Sequence, residues 1–173
     1  MTLDPHQPTF DILLARCTLS AVHLEMRDVY TPQDPIFLDW KAGVAVDPKE
    51  RWSEWYNLVS ATTARGVEVR RARIVSEPVT DYIRYEYDVT AGLNLAAGED
   101  VRWLPRRRAS ELALPGNDFW VFDGGLVRFG YFAGNGDILD DEFTEDEAAI
   151  HLCVSAFESV WQRAIPHRDY RPT

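Results

Sequence analysis

The chain has few of the residues that build redox, metal or secretory features. Its two cysteines, Cys17 and Cys153, are far apart and lack the close spacing of a zinc or redox motif. We expect both to be reduced and buried, with a disulfide as the alternative. No run approaches the ~20 apolar residues that span a membrane, and residues 1–8 lack the basic and apolar regions of a signal peptide. These absences predict a cytoplasmic protein that does not contact the membrane.

Positive charge is also scarce. Eighteen Lys and Arg against 28 Asp and Glu give a net charge of −10, which disfavours direct binding of nucleic acid because phosphate attraction supplies most non-specific affinity. Lys41 and Lys49 are the two lysines, so most positive charge is arginine, which suits paired hydrogen bonding to carboxylate or phosphate. Residues 65–108 carry a net charge of +2 and the remainder −12. This distribution suggests a basic cleft in an acidic body, although a high-GC genome gives the same arginine bias.

Length and composition favour one domain. A chain of 173 residues with 46% apolar side chains can bury one core. We therefore expect a single domain over residues 1–173, with poorly ordered ends at 1–9 and 168–173. Cap signals and apolar spacing predict helices over 10–18, 34–40 and 47–65, and the segment between the first two reads as a short extended or helical piece with a loop.

The second half of the chain reads as strands and helices in alternation. The pattern predicts strands at 67–75 and 101–105 joined by a helix over 80–89, then a hairpin at Asp123-Gly124-Gly125, an acidic loop and a helix over 144–164. The fold class is thus α/β (α+β), with N-terminal helices followed by β-α-β-β-β-α in a mixed sheet. A helix between two strands indicates a parallel crossover.

Several long motifs resemble an actinobacterial family of domains of unknown function. They are EMRDVY, ARGVEVRRARIVSEP, VRWLPRRRAS, LPGNDFWVFD and AFESVWQRAIPH, and the resemblance spans about Phe10 to Pro172. Members of that family accompany helix-turn-helix regulators. The resemblance therefore implies a regulatory or toxin–antitoxin-like setting, with such a regulator as protein partner and a homodimer as an alternative assembly.

A second, more distant resemblance is to one half of a phospholipase-D-like domain. ARGVEVR, the strand VRWLPRRR, the hairpin FWVFDGGLVRFG and the helix FESVWQRAIP follow the order of elements in that superfamily. Where the superfamily places its nucleophilic His and phosphate-binding Lys, this chain reads ELALPGNDF. The resemblance implies the architecture without phosphodiesterase chemistry.

Arginines form the main candidate ligand site. Loops beyond the carboxyl ends of parallel strands form the ligand crevice of open sheets, which should bring Ser76 and Glu77 close to the arginine run after the second strand. The start of the intervening helix adds main-chain N–H groups. The candidate ligand-binding residues are Arg27, Asp28, Arg70, Glu77, Tyr82, Arg84, Glu86, Arg102, Arg106, Arg107, Arg108, Asn117 and Asp118. The alternative is an internal network in which Glu25, Glu77 and Glu86 pair with Arg27, Arg84 and Arg106.

Other polar clusters favour ordinary structural roles. The histidines His6, His23, His151 and His167 stand without a nucleophile partner in the same element, so we expect no catalytic residues. His23 with Glu25 and Asp28 lacks a further ligand cluster, so we expect neither metal nor cofactor. The acidic residues over 137–147 read as a solvated loop and helix start, or as a docking face for a partner.

These observations lead to one functional hypothesis and one alternative. The first is a non-catalytic regulatory or interaction domain that binds a helix-turn-helix regulator through its acidic surface. The alternative is a degenerate phosphodiesterase-like or nucleotide-binding protein that holds phosphate at Arg106–Arg108.

Overall fold

A computed structural model describes residues 8–173 as a seven-stranded mixed sheet with helices on both faces. The strands are β1 Ser20–Glu25, β2 Glu68–Val75, β3 Asp100–Pro105, β4 Asp118–Phe122, β5 Leu126–Phe132, β6 Ile138–Thr144 and β7 Ile165–Pro166. The helices are α1 Phe10–Arg16, α2 Pro35–Lys41, α3 Pro48–Arg51, α4 Ser53–Ala64, α5 Asp81–Thr90 and α6 Glu147–Arg163. A π-helical turn, Ala91–Leu95, continues α5, and a 3₁₀ turn, Arg106–Ala109, follows β3.

The sheet has the order β6-β5-β4-β1-β2-β3-β7. β2 lies between β1 and β3 and is parallel to both. The other neighbouring strands are antiparallel to each other. This arrangement confirms the expected mixed sheet and the parallel pairing of β2 with β3 across α5. Three strands were not predicted as such. β1 lies in the segment read as extended or helical, β6 in the expected acidic loop, and β7 is a two-residue edge.

Local signals explain where most helices begin. Asp34 and Asp47 cap α2 and α3 through their carboxylates, each followed by proline at the first helical position. The helix predicted over 47–65 is instead two helices, because Trp52 leaves the helical region at φ −121° and ψ 42°. At the β4–β5 hairpin, Asp123 and Gly124 have φ of 48° and 66°, the positive values that a primed turn needs.

The two faces of the sheet have separate cores. α6 covers one face, where Phe157 is fully buried against Leu24, Ile74 and Leu104. α1 and α4 cover part of the other face, and α5 covers the end near β2 and β3. Among the described residues, no helix is long and apolar enough to cross a membrane.

The carboxyl-terminal residues, which the sequence predicts to be poorly ordered, pack against the sheet. Tyr170 is 2% exposed and stacks on Trp103 at 5.4 Å between ring centroids. Its hydroxyl donates to Glu77 at 2.9 Å, so the last residues pack on β3 instead of hanging free. Residues 1–7, which hold most of the expected amino-terminal disorder, lie outside the described part of the chain, as does His6.

Candidate functional site

A pocket of about 390 Å³ opens between the sheet and the loops and helices on the α5 side. Strands β1, β2, β4 and β5 form its floor, and α5 with its π-helical turn forms one wall. Much of the wall is aromatic: Tyr30, Trp52, Trp55, Tyr82, Tyr85 and Phe132. A cavity of this size with aromatic walls and a few polar groups is typical of a small-molecule site.

Strand alternation places charges on the pocket floor. Successive side chains of a strand point to opposite faces, so Arg71 and Arg73 of β2 face the pocket while Ala72 and Ile74 enter the core under α6. In β1 the same period brings Glu25 to the floor beside them. All three charged side chains are buried. Burial of this kind requires that the charges satisfy one another.

The floor arginines are committed to internal partners. Glu25 accepts hydrogen bonds from Arg71 Nη1 and Arg73 Nε. Arg71 Nε also donates to Glu99 at 2.7 Å, and Arg73 Nη1 donates to Thr90 Oγ1 at 2.7 Å. Although burial opposes ionisation, the two arginines hold the pKa of Glu25 well below its ordinary value. The floor is therefore a permanently charged but internally balanced network.

Glu86 has a carboxylate oxygen that the network leaves without a hydrogen bond among the described residues. It is 9% exposed and lies on the inner face of α5, one turn from Tyr82 and Val89. Its Oε1 is 3.8 Å from Arg73 Nη2, beyond hydrogen-bond distance, and its Oε2 has no hydrogen-bond partner within residues 8–173. Burial raises the pKa of Glu86 to about 8. The carboxyl thus changes its charge near neutral pH inside the pocket.

Asp118 and His23 complete the polar lining. Asp118 accepts from Met26 N at 2.9 Å and from the hydroxyl of Tyr30, and burial raises its pKa to about 6. His23 stacks on Trp120 with ring centroids 4.3 Å apart, and burial holds its pKa well below its ordinary value. His23 is therefore neutral at pH 7. Within the described chain, no three His, Cys, Asp or Glu side chains are placed to hold a metal ion.

Sequence reasoning found part of this pocket. Three predicted ligand residues line it, namely Tyr82, Glu86 and Asp118. Arg71, which shares the floor with Arg73, was not singled out as a ligand residue. The available signal was the position of both arginines inside an otherwise apolar strand, where each must face a buried partner.

The expected arginine crevice also exists, at the carboxyl ends of β2 and β3. Ser76, Glu77, Arg106 and Arg107 line a separate groove of about 280 Å³. Arg106 Nη2 donates to the carbonyl of Met26 at 2.6 Å, and its Nε donates to Ser76 Oγ at 2.9 Å. Arg106 therefore links the segments that follow β1, β2 and β3 by hydrogen bonds. This geometry favours the internal network over a phosphate clamp.

The remaining candidates lie apart from either cavity's centre. Arg70 and Arg102 are on the opposite face, where Arg70 pairs with Glu158 at 2.8 Å and Arg102 donates to the carbonyl of Trp161 at 3.3 Å. Arg27 donates to the main chain of the β5–β6 turn at 3.1 Å. Asp28 accepts from Ser76 N and Oγ, both at 2.7 Å. Arg84, Arg108 and Asn117 are exposed, as are Glu77 and Arg107 of the groove.

The internal network has different partners from those expected. Glu25 pairs with β2 arginines and not with Arg27, and Glu77 accepts from Tyr170 and not from an arginine. The cause is the previously unrecognised strand β1, which lies directly beside β2 and brings its carboxylate to the same face.

Both cysteines are free and buried, as predicted, and burial raises the pKa of each thiol to about 11.

The chain forms a mixed α/β domain with a pocket whose floor is buried and charged. The phospholipase D family member Nuc from Salmonella typhimurium is similar in structure, with a TM-score of 0.50 at 12% identity over 92% of this chain and 86% of that protein. The archaeal chromatin protein TrmBL2 has a TM-score of 0.50 at 9% identity, over 89% of this chain. This chain spans about half of TrmBL2, 47% of its length.

The chain belongs to the DUF6879 family, a domain of unknown function, whose model matches residues 8–172. No curated protein is significantly similar to it in sequence.

Proposed function

We propose that this chain is a non-catalytic regulatory domain that binds a small organic ligand in the 390 Å³ pocket. The observation that carries the proposal is Glu86, a buried carboxyl that faces an aromatic cavity and whose Oε2 has no hydrogen-bond partner among residues 8–173. A buried polar group left unpaired costs free energy, and a ligand that supplies its partner recovers that cost. Binding would therefore stabilise the wall formed by α5.

The polar groups of the floor favour binding over catalysis. Arg71 and Arg73 are held by Glu25, which leaves neither free to swing onto a reacting group. The segment at the usual position of the His-x-Lys pair reads ELALPGNDF.

A glycine on the pocket floor allows a sharp test. Gly130 of β5 faces the pocket, and a Cβ added there would meet only the Phe132 ring at 3.5 Å and Asp141 Oδ1 at 3.9 Å. Gly130→Leu should fill the cavity while preserving the strand. Gly116→Leu, at an exposed loop position with open space around it, is the matched control.

The measurement is a ligand-observed NMR screen of small organic molecules against the full chain. We expect ligands that bind the wild type and the Gly116→Leu variant but do not bind the Gly130→Leu variant. A screen without such ligands, or ligands insensitive to Gly130→Leu, would refute a binding role for this pocket.

We further propose that the domain acts in the cytoplasm on a helix-turn-helix regulator. The edge strand β6 supports this part, because Ile138 and Leu139 are 64% and 43% exposed beside acidic side chains. An open strand edge with exposed apolar groups can pair with a partner strand. TrmBL2, a DNA-binding chromatin protein, has this fold in about half of its length, which supports a regulatory setting.

Co-expression with helix-turn-helix regulators from the same genome tests the partner. We expect a complex that Ile138→Ser with Leu139→Ser abolishes and that Leu152→Ser, an exposed leucine on α6, leaves intact. Failure of wild type to form the complex would remove the regulator from the proposal. Light scattering of the chain alone reports whether β6 mediates a homodimer instead.

A further inference from the structure

The pocket contains one arrangement that specifies the charge of its ligand. Its floor arginines already donate to internal acceptors. By contrast, Glu86 Oε2 and His23 Nδ1 have no hydrogen-bond partner within residues 8–173. An incoming anion would have to displace Glu25 or Glu99 from Arg71. An incoming donor meets a carboxylate oxygen that nothing in the described chain occupies.

The charges around the pocket point the same way. Arg128 and Asp141 pair with each other at the rim, and Arg71 and Arg73 are balanced by Glu25 together with Glu99. Beyond those pairs, the carboxyl groups that line the pocket are those of Asp34, Glu86 and Asp118. The lining therefore has an excess of negative charge once Glu86 ionises.

The walls suit a cation as well. Aromatic faces attract cations through their ring quadrupoles, by about 0.5–2 kcal/mol when the cation is shielded from water. Tyr82 and Tyr85 flank Glu86 along α5, and Tyr30 lies across the cavity at 6.0 Å from the Tyr82 ring. A carboxylate within aromatic walls is the pattern that recognises organic ammonium and amidinium groups.

We infer that the pocket selects an organic cation, an ammonium or amidinium group on a small apolar body, which pairs with Glu86. This inference rests on the proposed ligand-binding function and specifies the charge of the ligand. The charged groups that face Glu86 from the packed elements are Glu25 on β1, Arg71 and Arg73 on β2, and Asp118 on β4. Since these already offset one another in part, the cation pairs mainly with Glu86.

The pairing predicts a pH dependence with a fixed sign. Burial raises the pKa of Glu86 to about 8, and a bound cation favours its ionised form. A cation that stays charged throughout should therefore bind more tightly as pH rises from 6 to 8. At pH 7 its binding should release a proton.

Three molecules of nearly equal size and shape test the inference: benzamidine, benzamide and benzoate. Calorimetric or NMR titration of the full chain at pH 8 should show benzamidine binding at least ~10-fold more tightly than either of the others, since tenfold corresponds to ~1.4 kcal/mol. Glu86→Gln should remove this preference, because glutamine cannot carry the negative charge that pairs with the cation. Circular dichroism and the Gly116→Leu protein control for the fold.

The outcomes separate the two proposals. Benzoate binding more tightly than benzamidine, or a benzamidine preference that survives in Glu86→Gln, overturns the cation while leaving the pocket as a binding site. Binding of all three probes that Gly130→Leu does not weaken overturns the site itself. Benzamidine should also be tested at 10 times the concentration that saturates the site with neutral ligands from the screen. If it does not bind at that concentration, the preference for a cation is refuted.

Discussion

Replacing Glu86 by glutamine should stabilise the fold at alkaline pH and leave its stability near pH 5 almost unchanged. Glutamine has the shape of the protonated carboxyl but cannot ionise. In the folded chain the pKa of Glu86 lies at about 8, above the ordinary value of 4.5, so the folded state keeps a proton that the unfolded chain releases. The stability of the wild type must then fall as pH rises between those two values.

The size of the effect follows from the two pKa values. Their full difference is worth about 5 kcal/mol at a pH above both, because each pKa unit corresponds to ~1.4 kcal/mol. The folded-state pKa already includes the attraction between ionised Glu86 and Arg73, so a gain of up to about 5 kcal/mol is expected at pH 9. At pH 5 both proteins have a neutral group there, and the difference should stay below about 1 kcal/mol.

Urea unfolding at pH 5, 7 and 9, followed by tryptophan fluorescence, measures the free energy of unfolding of each protein. Every other titrating group is shared, so the difference between the two curves isolates Glu86. Glu54→Gln, at an exposed position on α4, controls for the change in net charge and should parallel the wild type. Parallel curves for wild type and Glu86→Gln, or a variant less stable at pH 9, would refute a buried Glu86 whose pKa is raised in the folded chain.

Three further changes probe other parts of the fold. Arg71→Met should lower the free energy of unfolding by about 3–5 kcal/mol in urea titrations, because it removes the buried positive charge that Glu25 and Glu99 share, and a loss under 1 kcal/mol would contradict the network. Asp123→Asn should cost about 1–3 kcal/mol at pH 7, since the carboxylate accepts from three main-chain N–H groups before β1. Those bonds outweigh burial and lower the pKa of Asp123, so this difference should shrink as pH falls below 3.8. Cys17 and Cys153 should react with a thiol reagent only after unfolding, and rapid labelling of the native chain would contradict their burial.

Local chemistry made much of the fold predictable. The Asp-Pro caps of α2 and α3 and the Asp-Gly turn at Asp123 act through neighbouring main-chain groups, so their signals lie within a few residues. β1 and β6 were harder to recognise. β1 carries His23 and Glu25 on a face that sequence alone reads as solvent-facing, and β6 is an exposed edge whose acidic residues resemble a loop. Their strand structure depends on pairing with distant segments.

The pocket was only partly predictable for the same reason. The run of arginines after β3 predicted a ligand site at Arg106, but the guanidinium of Arg106 donates its hydrogen bonds to Ser76 and Met26. Arg71 and Arg73 are ordinary members of a charged stretch until β1 is placed beside β2. Their shared hydrogen-bond partner, Glu25, is 46 residues from Arg71 and 48 from Arg73 along the chain. Long-range pairing of this kind cannot be read from spacing.

The retention of so many buried charges also bears on the role of the pocket. Well-packed apolar side chains often stabilise a fold as well as, or better than, a buried ion-pair cluster. The cluster of Glu25 with Arg71 and Arg73 is therefore poorly explained by stability, and Glu86 above it lowers stability as pH rises. The buried charges of these strands lie on the side that holds the cavity, whereas the partly exposed Arg70 and Arg102 lie on the other face over the apolar core. The π-helical turn after α5 adds Asn94 to the same cluster, where its amide donates to Glu99 at 2.6 Å. Such turns are often found at functional sites. A binding pocket accounts for both the charge and its one-sided position, whereas a purely structural core accounts for neither.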